Sequence, residues 1–313
     1  MKLKTRVAGI ELKHPIMNAA GTCKFIDGPD GVREFAKSSI SAIMVGSITL
    51  LPRPGNEGEV YWYDGKFSLN SIGLRNPGVH GDNGYIKALP EMAKICHDAG
   101  KPLFVTVAGF DIIEYAPLVI MVFEAGADMV EVNLGCPNIW DGGKQKQIAC
   151  FNQEMVDRIL CSVEESLGVK ARVAVKLSPF SDPFALENIA AVIKRYSVVK
   201  AVTTSNTFPN AFSFNEEGKP RITPVNGLAG LGGPALKPIA LGQVVQLRAI
   251  LPKHIDIIGV GGINSGKDVL DFLRAGAKAV QIGTALLERK AKVIDQLLLE
   301  FINEEELAND SVS

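Results

Sequence analysis

The chain has 313 residues, a formal net charge of −1 and 47% hydrophobic residues. This near-neutral charge offers no general surface for nucleic acid or an anionic membrane, and no apolar stretch reaches the length of a membrane span. Five cysteines without a CxxC pair argue against a disulfide framework, a zinc site or an iron–sulfur cluster, so no metal is predicted. Together with an N-terminus that lacks a signal-peptide core, the free cysteines predict a cytoplasmic protein.

The first predicted element is a hairpin formed by residues 3–7 and 10–12, which we place at the floor of the fold. Short buried strands follow at 15–20 and 42–45, with a helix over 30–37 between them. From 50 to 82 prolines and glycines break this pattern, while 59–64 has the composition of a strand. We interpret the segment as an insertion over the mouth of the fold.

After residue 84 helices and strands alternate regularly. The pattern predicts helices at 85–99, 112–125, 153–167, 183–196, 237–251, 267–275 and 285–303, and strands at 102–107, 129–133, 172–176, 201–205, 256–260 and 279–282. A second insertion covers 208–234, and a polar tail over 304–313 is expected to fray. Continuous apolar strands are typical of parallel strands buried on both faces. The sequence therefore predicts an α/β fold, a single (β/α)8 TIM barrel domain over 1–313 with an N-terminal hairpin and small insertions over the C-terminal mouth.

The fourth barrel strand is predicted to end in a thiol set between two carboxamides, Asn133, Cys136 and Asn138. Catalytic groups of parallel barrels lie at the carboxyl ends of the strands. A thiol there can exchange a proton with a substrate, and amides can orient a flat polar molecule. Asn70 and Asn206 add two more carboxamides at the mouth. A buried, inert cysteine beside a turn is the alternative interpretation.

Glycines follow the seventh and eighth strands, at 259–262 and at Gly283, and each group opens a helix. Backbone N–H groups and helix dipoles at such positions favour an anion, which predicts a phosphate site; the segment 229–234 is a candidate third side. Lys176 ends the fifth strand. It is either a solvated surface charge or, beside a cofactor, a cation that stabilises negative charge on a reduced ring.

Several blocks together resemble the dihydroorotate dehydrogenases, especially their soluble class 1 branch, along nearly the whole chain. The matching blocks are 18–21, 70–78, 132–138, 175–177, 205–207, 231–238, 259–263 and 281–285. The resemblance implies an FMN-containing barrel that oxidises dihydroorotate to orotate in pyrimidine biosynthesis. It also implies that Cys136 is the base that removes a proton from substrate C5 while hydride passes to flavin N5. Such a base must be a thiolate, so a nearby dipole or cation is expected to lower its pKa.

The same resemblance implies the binding residues. Substrate contacts would come from Asn70, Gly73, Leu74, Asn133, Asn138, Asn206 and Thr207. FMN contacts would come from Ala20, Gly21, Ser47, Lys176, Gly232, Gly233, Gly261, Gly262, Gly283 and Thr284. The phosphate would lie against Gly262, Gly283 and Thr284, and Lys176 would face the N1/C2 edge of the flavin. The implied partners are a small-molecule substrate and a second copy of the chain, or an FAD/iron–sulfur subunit.

Two positions depart from the family pattern. Gly46 stands where the family usually has a lysine, and Gly135 where serine is more common. Loss of that cation removes a charge-assisted contact to a carboxylate, worth about 1.5–3 kcal/mol. Lys24, in the loop after the first strand, is a candidate replacement.

Alternative functions therefore remain open. One is an FMN-dependent dehydrogenase or reductase of a related dihydropyrimidine, similar to the FMN domain of dihydropyrimidine dehydrogenase. Another is a flavin-binding protein without dihydroorotate turnover. The Gly135-Cys136-Pro137 loop also resembles dihydrouridine synthases, but the near-neutral charge argues against a tRNA substrate.

Overall fold

The computed structural model describes residues 3–22, 28–80, 84–141 and 144–310. Its centre is a sheet of eight parallel strands, β1 Ile16–Asn18, β2 Ile43–Ile48, β3 Leu103–Val107, β4 Met129–Asn133, β5 Val173–Leu177, β6 Val199–Thr204, β7 Asp256–Val260 and β8 Ala279–Ile282. Each strand from β2 to β7 pairs with the next, and β8 also pairs with β1. The predicted (β/α)8 barrel is confirmed.

The junction between β1 and β2 is bridged by a side chain. The Asn18 Nδ2 group donates to Met44 O at 2.7 Å, and Met44 N donates to Asn18 Oδ1 at 2.8 Å. Just beyond, Gly21 N donates to Gly46 O at 2.9 Å. The buried carboxamide thus supplies the donor and acceptor that a neighbouring strand would otherwise provide, and it brings two site loops together.

Helices alternate with the strands around the barrel: α1 Pro29–Lys37, α2 Tyr85–Asp98, α3 Ile112–Glu124, α4 Gln153–Leu167, α5 Pro183–Ile193, α6 Lys237–Ile250, α7 Gly266–Arg274, α8 Thr284–Arg289 and α9 Lys292–Asp310. Their apolar stripes pack on strands that are buried along their length, as in β4. No helix within the described ranges is both long and apolar enough to cross a membrane.

The prediction of one C-terminal helix over 285–303 was wrong. Lys290 adopts a left-handed backbone conformation, φ +60°, and separates α8 from α9. The end of α8 is tied to the loop after β7, because the Arg289 guanidinium donates to the backbone and side-chain oxygens of Asn264. The predicted fraying was also wrong for 304–310, since α9 continues to Asp310, and the rest of the predicted tail, 311–313, lies outside the described residues.

The N-terminal hairpin consists of Thr5–Val7 and Ile10–Leu12, as predicted. It lies at the floor of the barrel, where Ala8 N donates to the Asp256 carboxylate at the start of β7.

The two insertions form a single structure over the mouth. The strands Tyr61–Tyr63, Ser68–Asn70, Phe208–Ala211 and Ala229–Gly232 form a four-stranded antiparallel sheet, here called the mouth sheet. The sequence predicted the two insertions but not their pairing, because Leu69 opposite Leu231 is a long-range contact that no local pattern encodes.

Candidate active site

A cavity of about 590 Å³ lies between the carboxyl ends of the barrel strands and the mouth sheet. Its size is within the range of small-molecule and cofactor sites. Every site residue predicted from the sequence lines it. The barrel loops contribute Ala20, Gly21, Ser47, Asn133, Cys136, Asn138, Lys176, Gly261, Gly262, Gly283 and Thr284, and the insertions and their edges contribute Asn70, Gly73, Leu74, Asn206, Thr207, Gly232 and Gly233.

The Cys136 thiol lies at the cavity wall and is partly exposed. Burial raises the pKa of this thiol to about 11, while the backbone N–H of Asn138 and the charge of Lys176 pull it down. The dipole and the cation expected from the sequence are therefore present. Desolvation outweighs both of them, so the predicted lowering of the pKa was wrong, and the group is mostly a neutral thiol at pH 7.

The four carboxamides are organised in pairs. Asn138 Nδ2 donates to Asn70 Oδ1 at 2.8 Å, and Asn206 Nδ2 donates to Asn133 Oδ1 at 3.2 Å. Asn133 Nδ2 in turn donates to the Ser47 hydroxyl at 3.1 Å. Each bond fixes the rotation of a terminal amide, so the positions of the amide donors and acceptors that line the cavity are defined.

Two hydroxyl groups at the cavity receive no hydrogen-bond partner from the part of the chain that the structure describes. Among the residues that the structure describes, Ser205 Oγ and Thr207 Oγ1 are buried and form no hydrogen bond. Buried polar groups are otherwise almost always paired. A polar ligand in the cavity would satisfy them.

Gly232, Gly233 and Gly262 form a backbone-lined recess in the cavity wall, here called the glycine recess. Gly233 and Gly262 both have φ +73°, a conformation that other residues rarely adopt. A Cβ atom on Gly262 would lie 2.6 Å from Lys237 N, and one on Gly232 would lie 2.8 Å from Ser68 Oγ. No side chain larger than hydrogen fits there, so backbone groups line the recess, as the phosphate of FMN requires.

Lys176 is nearly buried rather than solvated. Its ammonium lies 3.5 Å from Glu131 Oε1 and donates to Gln281 Oε1 at 3.2 Å. Neither partner was predicted from the sequence. A signal for Glu131 was present, because it is an acidic residue two positions before Asn133 in an otherwise apolar strand, and it shares that residue's face.

At both positions that depart from the family pattern, neighbouring backbone atoms leave no room for a side chain. A Cβ atom at Gly46, φ +110°, would lie 2.3 Å from Thr106 O, and one at Gly135 would lie 2.5 Å from Ser178 N. Neither a lysine nor a serine fits at these positions without a shift of the neighbouring strand or loop. The candidate replacement Lys24 lies outside the described residues.

Gly46→Ala is expected to lower the free energy of unfolding by about 2–6 kcal/mol, because a left-handed conformation and overpacking each cost about 1–3 kcal/mol. Gly9→Ala is the matched control, since Gly9 has φ +79° but no atom within 4 Å of its added Cβ. Urea denaturation of the two variants separates the two costs. An equal loss in both would show that the contact with Thr106 O relaxes freely.

The fold and the cavity define a (β/α)8 barrel protein with a small-molecule site at the carboxyl ends of its strands. The family model described as dihydroorotate dehydrogenase matches residues 2–304. The chain belongs to the dihydroorotate dehydrogenase family. Enzymes of this family are FMN-dependent oxidoreductases that act on a CH–CH bond.

Two curated relatives show the breadth of the similarity, and both belong to class 1. The catalytic subunit of dihydroorotate dehydrogenase B (NAD(+)) from Thermoanaerobacter pseudethanolicus is 36% identical over 288 residues, which cover 91% of this chain and 87% of the relative. Dihydroorotate dehydrogenase A (fumarate) from Lacticaseibacillus paracasei is 32% identical over 291 residues, covering 92% of this chain and 93% of the relative.

The fold has a counterpart among solved structures. The crystal structure of DHODH from Eimeria tenella in complex with ferulenol aligns with a TM-score of 0.79 at 20% sequence identity. The alignment covers 98% of this chain and 85% of that chain. At this identity the likeness supports the barrel fold alone.

Proposed function

We propose that the chain is an FMN-dependent dihydroorotate dehydrogenase that oxidises dihydroorotate to orotate. The observation that carries the proposal is that Cys136, the paired carboxamides and the glycine recess all line one cavity. When bound, FMN supplies the acceptor for the hydride that leaves the substrate. The Cys136 thiolate takes the proton from substrate C5 as the hydride leaves the adjacent ring carbon, so two C–H bonds break and a C=C double bond forms between the two carbons.

The glycine recess would hold the FMN phosphate. Gly262, Gly283 and Thr284 contribute backbone groups at its walls, and the Ser68 hydroxyl lies 3.1 Å from the Thr284 hydroxyl. Lys176 would face the N1/C2 edge of the ring, where its charge offsets negative charge on the reduced form. Ala20, Gly21, Ser47, Gly232, Gly233 and Gly261 would complete the FMN contacts.

The paired carboxamides would hold the substrate. Asn70, Asn133, Asn138 and Asn206 present fixed amide donors and acceptors, which match the imide and carbonyl edges of a dihydropyrimidine ring. Thr207, whose hydroxyl has no partner among the described residues, is a further substrate contact. Gly73 and Leu74, at the mouth, would complete this set.

A second candidate function follows from Gly46. Without a lysine at this position, a related dihydropyrimidine that lacks the carboxylate is the alternative substrate. Arg53 argues against this alternative substrate. Its side chain is a cation that lines the cavity, and its Nε is buried without a hydrogen-bond partner among the described residues. Its guanidinium lies 4.0 Å from the centre of the Phe110 ring. Phe110 in turn lines a second, smaller pocket together with Cys136. Arg53 therefore favours an anionic substrate, and we retain dihydroorotate as the first choice.

The substrate is tested by mixing the FMN-loaded protein anaerobically with dihydroorotate, dihydrouracil or dihydrothymine. Dihydroorotate is expected to bleach the flavin absorbance near 450 nm at least about tenfold faster than the uncharged rings, because one charge-assisted contact is worth about 1.5–3 kcal/mol. Faster bleaching by dihydrouracil would support the second candidate function. No bleaching by any of the three would leave a flavin-binding protein without turnover.

We further propose that residues 1–313 act as one domain, in the cytoplasm, as a homodimer. The continuous core of the barrel supports the first point. Exposed aromatic rings beside the mouth sheet support the dimer, since Phe212 and Phe214 pack edge to face at 4.8 Å and are both exposed.

Light scattering of the purified chain tests the dimer. Screening fumarate and NAD⁺, the latter with an FAD/iron–sulfur subunit, identifies the electron acceptor.

A further inference from the structure

A polar cluster lies inside the barrel, one layer below the cavity floor. At its centre is Glu131, which is fully buried. Its Oε1 accepts a hydrogen bond from the Thr106 hydroxyl at 3.0 Å, and its Oε2 accepts from the Thr203 hydroxyl at 2.7 Å and from the Gln281 amide at 2.7 Å. With Lys176, the members of the cluster come from five strands, β3, β4, β5, β6 and β8.

Three members form a closed triangle. The Lys176 ammonium donates to Gln281 Oε1, the Gln281 amide donates to Glu131 Oε2, and the carboxylate lies 3.5 Å from the ammonium. Lys176 and Gln281 line the cavity, whereas Glu131 lies behind them. The carboxylate therefore holds both cavity-facing side chains from below, and the long lysine side chain loses most of its rotamer freedom.

The charges in this cluster balance. A buried carboxylate or ammonium alone is costly, and removing one partner of a buried pair leaves an uncompensated charge. Here the negative charge of Glu131 compensates the positive charge of Lys176. Both lie in the low-dielectric interior of the barrel, where electrostatic interactions are weakly screened. The carboxylate behind the ammonium therefore weakens the positive potential that the ammonium produces at the cavity floor.

We propose that Glu131 is a positioning residue of the flavin site, which fixes the Lys176 ammonium at the cavity floor and limits the positive potential there. The inference rests on the proposed function, in which Lys176 faces the N1/C2 edge of FMN. Negative charge on that edge grows when the flavin is reduced. Besides holding Lys176 in place, Glu131 by its own charge makes reduction less favourable than a lone lysine would, and it thereby tunes the reduction potential of the bound cofactor.

The test is the midpoint potential of bound FMN in the Glu131→Gln protein, measured by anaerobic spectroscopic titration. The substitution keeps the size of the side chain and removes its charge. We expect the affinity for reduced over oxidised FMN to rise about tenfold, which for a two-electron couple is a positive shift of about 30 mV. Lys176→Met is expected to shift the potential in the opposite direction. An unchanged or more negative potential in Glu131→Gln would overturn the inference.

Thr203→Val is the matched control. It removes one hydrogen bond to the same carboxylate, leaves both charges in place, and replaces the hydroxyl with a methyl group of similar size. It is expected to lower the melting temperature without shifting the potential. A purely structural role for Glu131 predicts instead that Thr203→Val and Glu131→Gln have the same potential.

The double variant Glu131→Gln/Lys176→Met serves if the uncompensated ammonium prevents Glu131→Gln from folding, since a neutral replacement of a buried pair is often tolerated. Its potential is expected to lie above that of Lys176→Met, because the carboxylate charge is gone. Equal potentials would overturn the inference. A wild-type protein that binds no FMN would overturn the proposed function as well, whereas an FMN-loaded variant with an unchanged potential overturns only the role of Glu131.

Discussion

Replacing Cys136 by alanine is expected to lower the rate of dihydroorotate oxidation by about 10²–10⁴-fold, the usual contribution of a general base, while the protein still binds FMN. The thiol is the proton acceptor at the wall of the cavity, and its neighbours Asn133 and Asn138 offer amides, which are not bases at neutral pH. The glycine recess is formed by loops other than the one that carries the thiol, so we expect the cofactor to be retained. The rate is measured as bleaching of the flavin on anaerobic mixing with dihydroorotate.

The matched control is Cys161→Ser, on the outside of helix α4, which is expected to leave the rate unchanged. A wild-type rate in Cys136→Ala would contradict the assignment of the base. The pH dependence gives a second readout. Because burial raises the pKa of Cys136 to about 11, the thiolate fraction grows about tenfold per pH unit below that value. The rate in the wild-type protein should therefore rise between pH 7 and pH 9, and the residual rate of Cys136→Ala should lack this slope.

Much of the barrel could be predicted because local patterns determine it. Helix α4 and strand β4 have the predicted bounds, since each is a periodic or apolar run with clear breaks at both ends. The division of the C-terminal helix at Lys290 was missed, because a left-handed lysine leaves no mark in the sequence and depends on the contact between Arg289 and Asn264.

Residues that line the cavity could be predicted, but their hydrogen-bond partners could not. The resemblance placed Asn70 and Asn138 at one site, while the bond between their amides depends on how an insertion folds over the barrel. Glu131 was overlooked for a related reason. In sequence it is one charge in an apolar strand, and only the barrel brings to it hydrogen-bond donors from three other strands and the Lys176 ammonium from a fourth. Buried polar networks are assembled by tertiary structure, so a single chain segment does not reveal them.

Gly262→Ala is expected to weaken FMN binding by about 10- to 100-fold, because each charge-assisted hydrogen bond to a phosphate is worth about 1.5–3 kcal/mol. The added Cβ would lie 2.6 Å from the backbone nitrogen of Lys237, and φ +73° disfavours any side chain. Lys237 cannot move away easily, since it begins helix α6 and its ammonium pairs with Asp268 and Asp271. The loop after β7 must shift instead, and its backbone donors then no longer converge on the phosphate.

Quenching of FMN fluorescence by the apoprotein measures the dissociation constant. Gly242→Ala is the control, since Gly242 lies within α6 with no atom within 4 Å of an added Cβ, and its affinity for FMN should equal that of the wild type. Gly233→Ala, with milder contacts of 3.1 Å to Phe67 and Ser68, provides an intermediate case if Gly262→Ala fails to fold. The recess binds the phosphate only if affinity falls in the order Gly242→Ala, Gly233→Ala, Gly262→Ala. Equal affinities in all three variants would mean that the phosphate lies elsewhere, because only the two recess variants place new atoms against its backbone.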